Sequence, residues 1–354
     1  MRGGPPKPSV AIIGAGVAGL ACARALADRG CQPVVFDRGR RPGGRLTARS
    51  IAVDPGQITH ADHGAPFFTC TEERFATHLQ SWISAGVCAE WNVECAVWRE
   101  GTLQRSRPAE RLFVGTPEMQ AIAEHLGRGL DIRSGFNITA IGRGPGGWVL
   151  HASAAKDRAH LTESFSSLVI ATAPSQAAQL LEGRSEHIAQ DLSQLKTAPC
   201  WAHTVILSDE LAELPPFVRA PDSQVIELVI REDSKPNRTR LNRTTVLVVH
   251  ATAGWSAARY EADPTSVGEE MTQSALTLVR AIVGRDVQPS AFTPAQAHRW
   301  GMARTLGCVP AGCSADDQCW LVVCGDGFGG SGVQHAFLSG LTGAERVLDA
   351  AHRP

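Results

Sequence analysis

Gly14, Gly16 and Gly19 stand in the run Gly14-Ala-Gly16-Val-Ala18-Gly19, the spacing with which a backbone turn receives a pyrophosphate. Gly14 permits the tight turn, Gly16 lets the backbone approach phosphate oxygens, and Gly19, next to Ala18, lets a helix pack on a strand. Asp37 follows at about the 20-residue spacing at which an acid accepts hydrogen bonds from a ribose. Directly after it, Arg38 and the triplet Gly43-Gly44-Arg45 offer close backbone and forked donors to a second stretch of phosphate. Arg40, Arg41 and Arg49 are read as a solvated basic loop. Near the other end, Asp326 closes the run Cys324-Gly325-Asp326, where an acid can bind polyol hydroxyls. Gly332 and Val333 then open a segment whose free N–H groups and partial positive charge would stabilise an anion.

These residues need particular elements behind them. Val10–Ile13 is a short β-branched run and predicts a buried strand; Leu20–Arg29 has helical spacing and Gly30 ends it. Val34–Phe36 predicts a second buried strand with Asp37 at its tip. Strand, glycines, helix, strand and acid together are far more specific than the glycines alone. Further along, Phe75–Trp82 predicts a helix, Thr116-Pro117-Glu118 reads as the capped start of a helix to about Leu126, and Ile132–Ile141 reads as one strand. Trp148–Ala152 and Leu168–Thr172 predict strands. Val225–Ile230 and Thr245–His250 are strand-like, Val267–Val283 is an amphipathic helix, and the polar stretch Arg231–Arg243 is read as a surface loop. Trp320–Cys324 predicts a last strand, followed by the loop Gly327–Gly332 and a helix to about Ala351.

Composition narrows the function classes. The chain has 354 residues, 43% hydrophobic and 19% charged, an ordinary globular balance that allows two domains. With 34 basic and 35 acidic residues the net charge is -1, which gives no electrostatic footprint for nucleic acid or an anionic membrane. The 10 cysteines form no CxxC pair or metal-ligand spacing, so they read as reduced thiols of a cytoplasmic protein, with no metal site. Arg2 and Lys7 precede an apolar stretch, but its glycine pattern fits a strand and helix better than a leader peptide. No segment has the apolar length of a membrane span.

The double glycine and Arg45 resemble the second motif of amine oxidase-related flavoproteins, and the chain as a whole resembles bacterial renalase-like flavoproteins. The residues that carry the likeness are GAGVAG at Gly14, RPGGRLT ending at Thr47, ADHGAPFFT at Ala61, REDSKP at Arg231, VVHATAGWS at Val248, AHRWGMAR at Ala297 and CGDGFGGSGVQHAFLSG at Cys324. The resemblance implies an α/β architecture with a Rossmann-like FAD-binding domain and a mixed-sheet substrate domain, as in p-hydroxybenzoate hydroxylase. It divides the chain into a discontinuous FAD-binding domain over 1–62, 115–178 and 316–354, and a substrate domain over 63–114 and 179–315. It implies noncovalent FAD, with Ile138 meeting the adenine through its backbone. It also implies oxidation of 2- and 6-dihydro isomers of NAD(P)H to NAD(P)⁺, with oxygen as acceptor and hydrogen peroxide as product.

On the substrate side, His250 matches an active-site histidine of the family and is expected to orient the substrate. Trp300, beside His298 and Arg299, is expected to wall an aromatic ring or to anchor the core. Four positions depart from the family: Pro66 where Gln is usual, Glu232 for Asn, Gly327 for Trp and Gly332 for Arg. An acid at Glu232 facing the substrate would favour a cation. Oxidation of an amine or a specialised metabolite, and non-catalytic flavin binding, therefore stay open beside the renalase-like reaction. The oligomeric state is not legible.

Overall fold

The computed structural model describes residues 8–154, 163–239, 243–318 and 320–351. It divides into two units, one made of Met1–Arg45, Ala123–Thr197 and Thr305–Pro354, the other of Leu46–Ile122 and Ala198–Arg304.

The first unit is built on a six-stranded sheet. In spatial order its strands are Asp131–Ser134, Gln32–Asp37, Ser9–Ile13, Ser167–Ile170, Leu321–Val323 and Ser314–Asp316. The first five run parallel and the last is antiparallel. The central strands are almost wholly Val, Ile, Leu and Ala and are buried, as a parallel sheet covered on both faces requires. Helices Val17–Asp28 and Gly332–Ala351 lie against each other, and a Cβ on Gly340 would fall 2.2 Å from the Ala18 carbonyl oxygen. Only glycine there lets the two backbones come so close.

The expected strand over Ile132–Ile141 is two strands. Gly135, with φ +81, breaks the run, so Asp131–Ser134 pairs with Gln32–Asp37 while Phe136–Gly144 joins a separate three-stranded sheet. Strand-like residues on both sides of Gly135 hid the turn. The expected helix start at Thr116 is also corrected: the helix is Gln120–Gly127, and the Thr116 hydroxyl donates to the Gly86 carbonyl at 2.6 Å instead of capping it.

The second unit carries a seven-stranded sheet in the order His298–Leu306, Lys196–Leu207, Thr245–Ala251, Ile226–Arg231, Phe217–Arg219, Cys95–Arg99 and Thr102–Ser106. Helix Pro264–Val283 covers it, burying Met271, Ala275 and Val279 with Val205, Leu247 and Val249 in one core. Asp263 caps this helix by accepting from Thr265 N and Ser266 N at 3.0 Å each. The strands Arg49–Asp54 and Gln57–Ala61 pair with each other inside this unit, so the divide falls after Arg45 rather than near residue 62. Among the described residues, no helix is long and apolar enough to cross a membrane and no cluster of His, Cys, Asp or Glu could hold a metal.

Candidate functional site

In the first unit the glycine turn has the geometry its spacing predicts. Gly14 has φ +108, a conformation that L side chains rarely adopt. A Cβ on Gly19 would sit 1.9 Å from the Gly14 carbonyl oxygen, so the helix start and the turn are in direct backbone contact. A Cβ on Gly16 would meet nothing within 4 Å. That open space lies at the N-cap of helix Val17–Asp28, where unpaired N–H groups favour an anion.

The segment after Asp37 folds back onto this turn. Gly43 N donates to the Ala15 carbonyl at 2.8 Å. A Cβ on Gly44, which has φ +53, would fall 3.3 Å from Gly16 Cα. Asp37 ties both pieces: its carboxylate accepts from Ala15 N and from Gly39 N, each at 2.6 Å. Each oxygen keeps a lone pair for a further donor such as a ribose hydroxyl. Arg38 is exposed beside it.

Arg45 and Asp326 are also brought together. Arg45 Nη1 donates to Asp326 Oδ2 at 3.1 Å and Nη2 donates to Oδ1, a forked pair. The Arg45 fork thus serves Asp326 as well as any phosphate. Asp326 is buried at the end of its strand, and the helix Gly332–Ala351 opens six residues on with Val333 buried and Gly332 at φ +87. Gly327 has φ +105, and a Cβ there would lie 2.9 Å from Thr305 Cγ2. A large side chain in its place demands a different loop. Ile138 lies beside a register shift between Ile138 and Ala140 that interrupts the ladder. These groups fit a dinucleotide: a Cβ-free cradle, an acid with spare acceptors, and a helix N-terminus.

In the second unit, His250 lies on strand Thr245–Ala251 and is buried. His298 and Trp300 share one face of their strand, and Arg299 turns outward over the Tyr260 ring at 4.5 Å. Trp300 stacks on His63 with ring centroids 5.3 Å apart, and His298 stands edge-on to both, at 4.8 Å from His63 and 4.5 Å from Trp300. Trp300 Nε1 donates to the His63 carbonyl at 2.9 Å. Arg49 Nη2 lies 3.1 Å from His298 Nδ1, which places this exposed arginine at the cluster, at the start of a strand rather than in a loop. His63 and Arg49 are the residues that sequence reasoning missed; the aromatic period of the AHRW strand was the available signal. Pro66 lies half-buried four residues from Asp62, while Phe67 packs on Phe217 at 5.2 Å, so the aromatic pair serves the core.

The imidazoles are held neutral. Burial lowers His63 to about 3, with the charges of His298 and Arg49 adding to it. Burial lowers His250 to about 4, aided by Arg304, and His203 and His298 also to about 4. Each folded-state value lies below the unfolded one, near 6.5. Below pH ~6.5 the unfolded chain therefore binds more protons. Stability is full above that pH and falls toward pH 4, by up to about 1.4 kcal/mol per pH unit for each buried histidine. The urea midpoint should drop steadily from pH 6.5 to 4.5, and His203→Gln should make that slope shallower by about one proton. A flat profile would contradict the neutral, buried assignment.

Glu232 is not at a surface. It opens a short 3-10 turn, Glu232–Ser234, and is buried with Asp62, Lys235 and Arg238. Lys235 Nζ lies 2.8 Å from Asp62 Oδ2 and 2.5 Å from Glu232 Oε1; Arg238 donates to Asp62 Oδ2 and lies 3.6 Å from Glu232 Oε2. Asp62 N donates to Glu232 Oε2 at 3.2 Å, and Asp62 Oδ1 accepts from Met119 N at 2.9 Å. Burial alone would raise Asp62, but the charges of Lys235 and Arg238 outweigh it and hold its carboxyl low. Burial pushes Glu232 up, and Asp62 adds to the rise. The expected surface loop Arg231–Arg243 is therefore corrected over its first part, and residues 240–242 lie outside the described residues. Glu232 is a member of a neutral buried quartet, not an acid displayed to substrate.

A family model described as an NAD(P)-binding Rossmann-like domain matches residues 12–81. The chain is 34% identical over 115 residues to the tRNA 5-methylaminomethyl-2-thiouridine biosynthesis bifunctional protein of Thiobacillus denitrificans, a match to 32% of this chain and 17% of that protein. Among solved structures, cyclohexylamine oxidase from Brevibacterium oxydans is similar with a TM-score of 0.69 and 13% identity, covering 98% of this chain and 100% of that one. Reduced UDP-galactopyranose mutase is similar with a TM-score of 0.69 and 10% identity, covering 98% and 97%. An oxidase of amines and a sugar mutase share this architecture, so fold alone does not choose the reaction. What the likeness establishes is a mixed α/β fold with a Rossmann-like dinucleotide-binding portion, shared with both of those enzymes.

Proposed function

We propose that this chain is an FAD-dependent oxidoreductase that takes a hydride from a small substrate, and that the substrate is a 2- or 6-dihydro isomer of NAD(P)H. The observation that carries the cofactor reading is the open Cβ position at Gly16, with Gly44 laid against it and Asp37 bonded to both turns. Gly14, Gly16, Ala18, Gly19 and the helix N-terminus would hold the diphosphate, Asp37 and Arg38 the ribose end, Ile138 the adenine. Gly44, Arg45, Asp326, Gly332 and Val333 would hold the ribityl and flavin end. The match to a dinucleotide-binding family model supports this reading. FAD, bound noncovalently, supplies a hydride acceptor that oxygen can reoxidise with release of hydrogen peroxide.

The second unit supports a substrate that needs no base. A dihydronicotinamide regains aromaticity on losing hydride, so no proton has to leave, and positioning supplies most of the rate. Neutral His250, His63 and His298 can orient a carboxamide by hydrogen bonding, and Trp300 can stack on a flat ring. With Glu232 paired in the quartet, the carboxylate that favoured a cationic amine is spent elsewhere. Pro66 contributes shape alone.

The test is anaerobic bleaching of the yellow protein by a borohydride-reduced NAD⁺ mixture, which holds the 2-, 4- and 6-dihydro isomers. Fast bleaching by a minor component, little by pure 4-dihydro NADH, and recovery with peroxide on admitting air are expected. Bleaching by amines but by none of the dihydro isomers would overturn the substrate and favour an amine oxidase. A purified protein that binds no flavin would overturn the cofactor.

A further inference from the structure

Trp300, one of the groups proposed to face the substrate, is supported by the backbone of His63. The Trp300 indole N–H donates to the His63 carbonyl at 2.9 Å. That carbonyl is one residue from Asp62, which is held from every side. Its N–H is bound by Glu232 at 3.2 Å, one carboxylate oxygen by Met119 N at 2.9 Å, and the other by both Lys235 and Arg238. His63 N in turn donates to the Ala61 carbonyl at 3.0 Å, closing a tight turn around Asp62. The partners come from three separate stretches of the second unit: 61–63, 115–119 and 232–238.

Such a cluster is a poor way to gain stability. Well-packed apolar residues of the same volume usually do as well or better than buried ion pairs. What charge-assisted hydrogen bonds add is direction, because each contact fixes an angle as well as a distance. Four directional contacts on one residue fix the peptide that follows it.

We propose that the Asp62–Glu232–Lys235–Arg238 quartet is the positioning device of the substrate site: it locks Asp62, and so sets the His63 carbonyl that orients Trp300. These four are positioning residues and do not touch the reacting atoms. The inference rests on the reading of Trp300 as a substrate-facing group, but its test does not depend on turnover.

The probe is hydrogen exchange of the tryptophan indole N–H groups in ¹⁵N-labelled full-length protein, with Trp300 assigned by Trp300→Phe. Trp201, whose indole N–H donates to the Arg259 carbonyl at 3.1 Å, is the internal control. Trp91 is unsuitable, because it donates to Ser234 within the quartet's own turn. In Asp62→Asn and in Glu232→Gln, exchange at Trp300 should accelerate by about tenfold or more while Trp201 keeps its wild-type rate. Where Asp62→Asn does not fold, the near-isosteric Glu232→Gln decides. Unchanged exchange at Trp300, or equal acceleration at Trp300 and Trp201, overturns the proposal: the first shows no link, the second a general loosening. If the wild-type flavin is bleached as proposed, both variants should also show slower bleaching at saturating substrate with flavin content retained. Failure of the wild type to bleach would sink the substrate reading and leave the indole result standing by itself.

Discussion

Gly19→Ala should yield a protein that neither reaches wild-type stability nor retains flavin, whereas Gly16→Ala should fold normally and lose flavin alone. The new methyl at Gly19 would lie 1.9 Å from the Gly14 oxygen, 3.1 Å from its carbon and 3.2 Å from Ala171 Cβ. No side chain can swing aside, because the nearest atoms are backbone. Gly14 cannot give way cheaply either, since it occupies φ +108 and a Cβ there would lie 2.7 Å from the Ala171 oxygen. Overpacking of this kind costs about 1–3 kcal/mol or more, and here it opens the turn that receives the phosphates. At Gly16 the methyl enters open space, so the fold has nothing to resist. The same space is where the diphosphate would lie, and flavin affinity should fall by about tenfold or more, the equivalent of about 1.4 kcal/mol. Thermal unfolding and flavin content of the two purified variants check this. A Gly16→Ala protein with wild-type flavin affinity would remove the phosphate cradle from the argument.

The second large effect is at Lys235. Lys235→Met leaves Asp62 and Glu232 buried with Arg238 as their remaining partner in the quartet. Removing one partner of a buried charge cluster costs about 3–5 kcal/mol, because the survivor stays desolvated and uncompensated. The double variant Lys235→Met/Glu232→Gln restores neutrality around the Asp62–Arg238 pair and should recover the larger part of that loss. The cost in the single variant should shrink on acidification. Glu232 is already raised by burial, so the folded state takes up its proton before the unfolded chain does, and lower pH then favours folding. Urea unfolding of the three proteins near neutral pH, repeated near pH 5, measures both statements. A loss under about 1 kcal/mol in the single variant would mean that water or relaxation compensates the acids and that the quartet is less closed than its geometry.

What could be read in the sequence was what local backbone demands. Gly14, Gly16 and Gly19 encode a turn through their missing side chains, and the strands and helix on either side are short runs with clear periodicity. Helix Val267–Val283 was legible for the same reason, and the structure extends it only to Pro264 through the Asp263 cap. Two local readings failed because a local signal was ambiguous. Thr116-Pro117-Glu118 has the composition of a helix start, but the Thr116 hydroxyl finds Gly86 first. Ile132–Ile141 mixes apolar and polar residues in a strand-like way on both sides of Gly135, so the break there carried no clear local mark. The quartet was illegible for a different reason. Glu232 and Asp62 are 170 positions apart, and an acid, a lysine and an arginine in a polar stretch look like a solvated loop until the fold brings an opposite charge to each. The same holds for Arg45 and Asp326: each was singled out, but their forked pairing depends on strands at opposite ends of the chain.

The contact between Ala18 and Gly340 has a consequence for synthesis. The first unit draws its sheet from three stretches of chain and closes with a helix that ends at Ala351, while the second needs nothing beyond Arg304. On a ribosome, the glycine turn emerges well before its covering helix and must wait for it half-built. Its apolar strand faces stay open to solvent and to chaperones during that interval. The second unit can collapse while the first is still waiting. Capture of the cofactor therefore waits on a helix made well after the turn it covers, and the turn is held open for that whole interval.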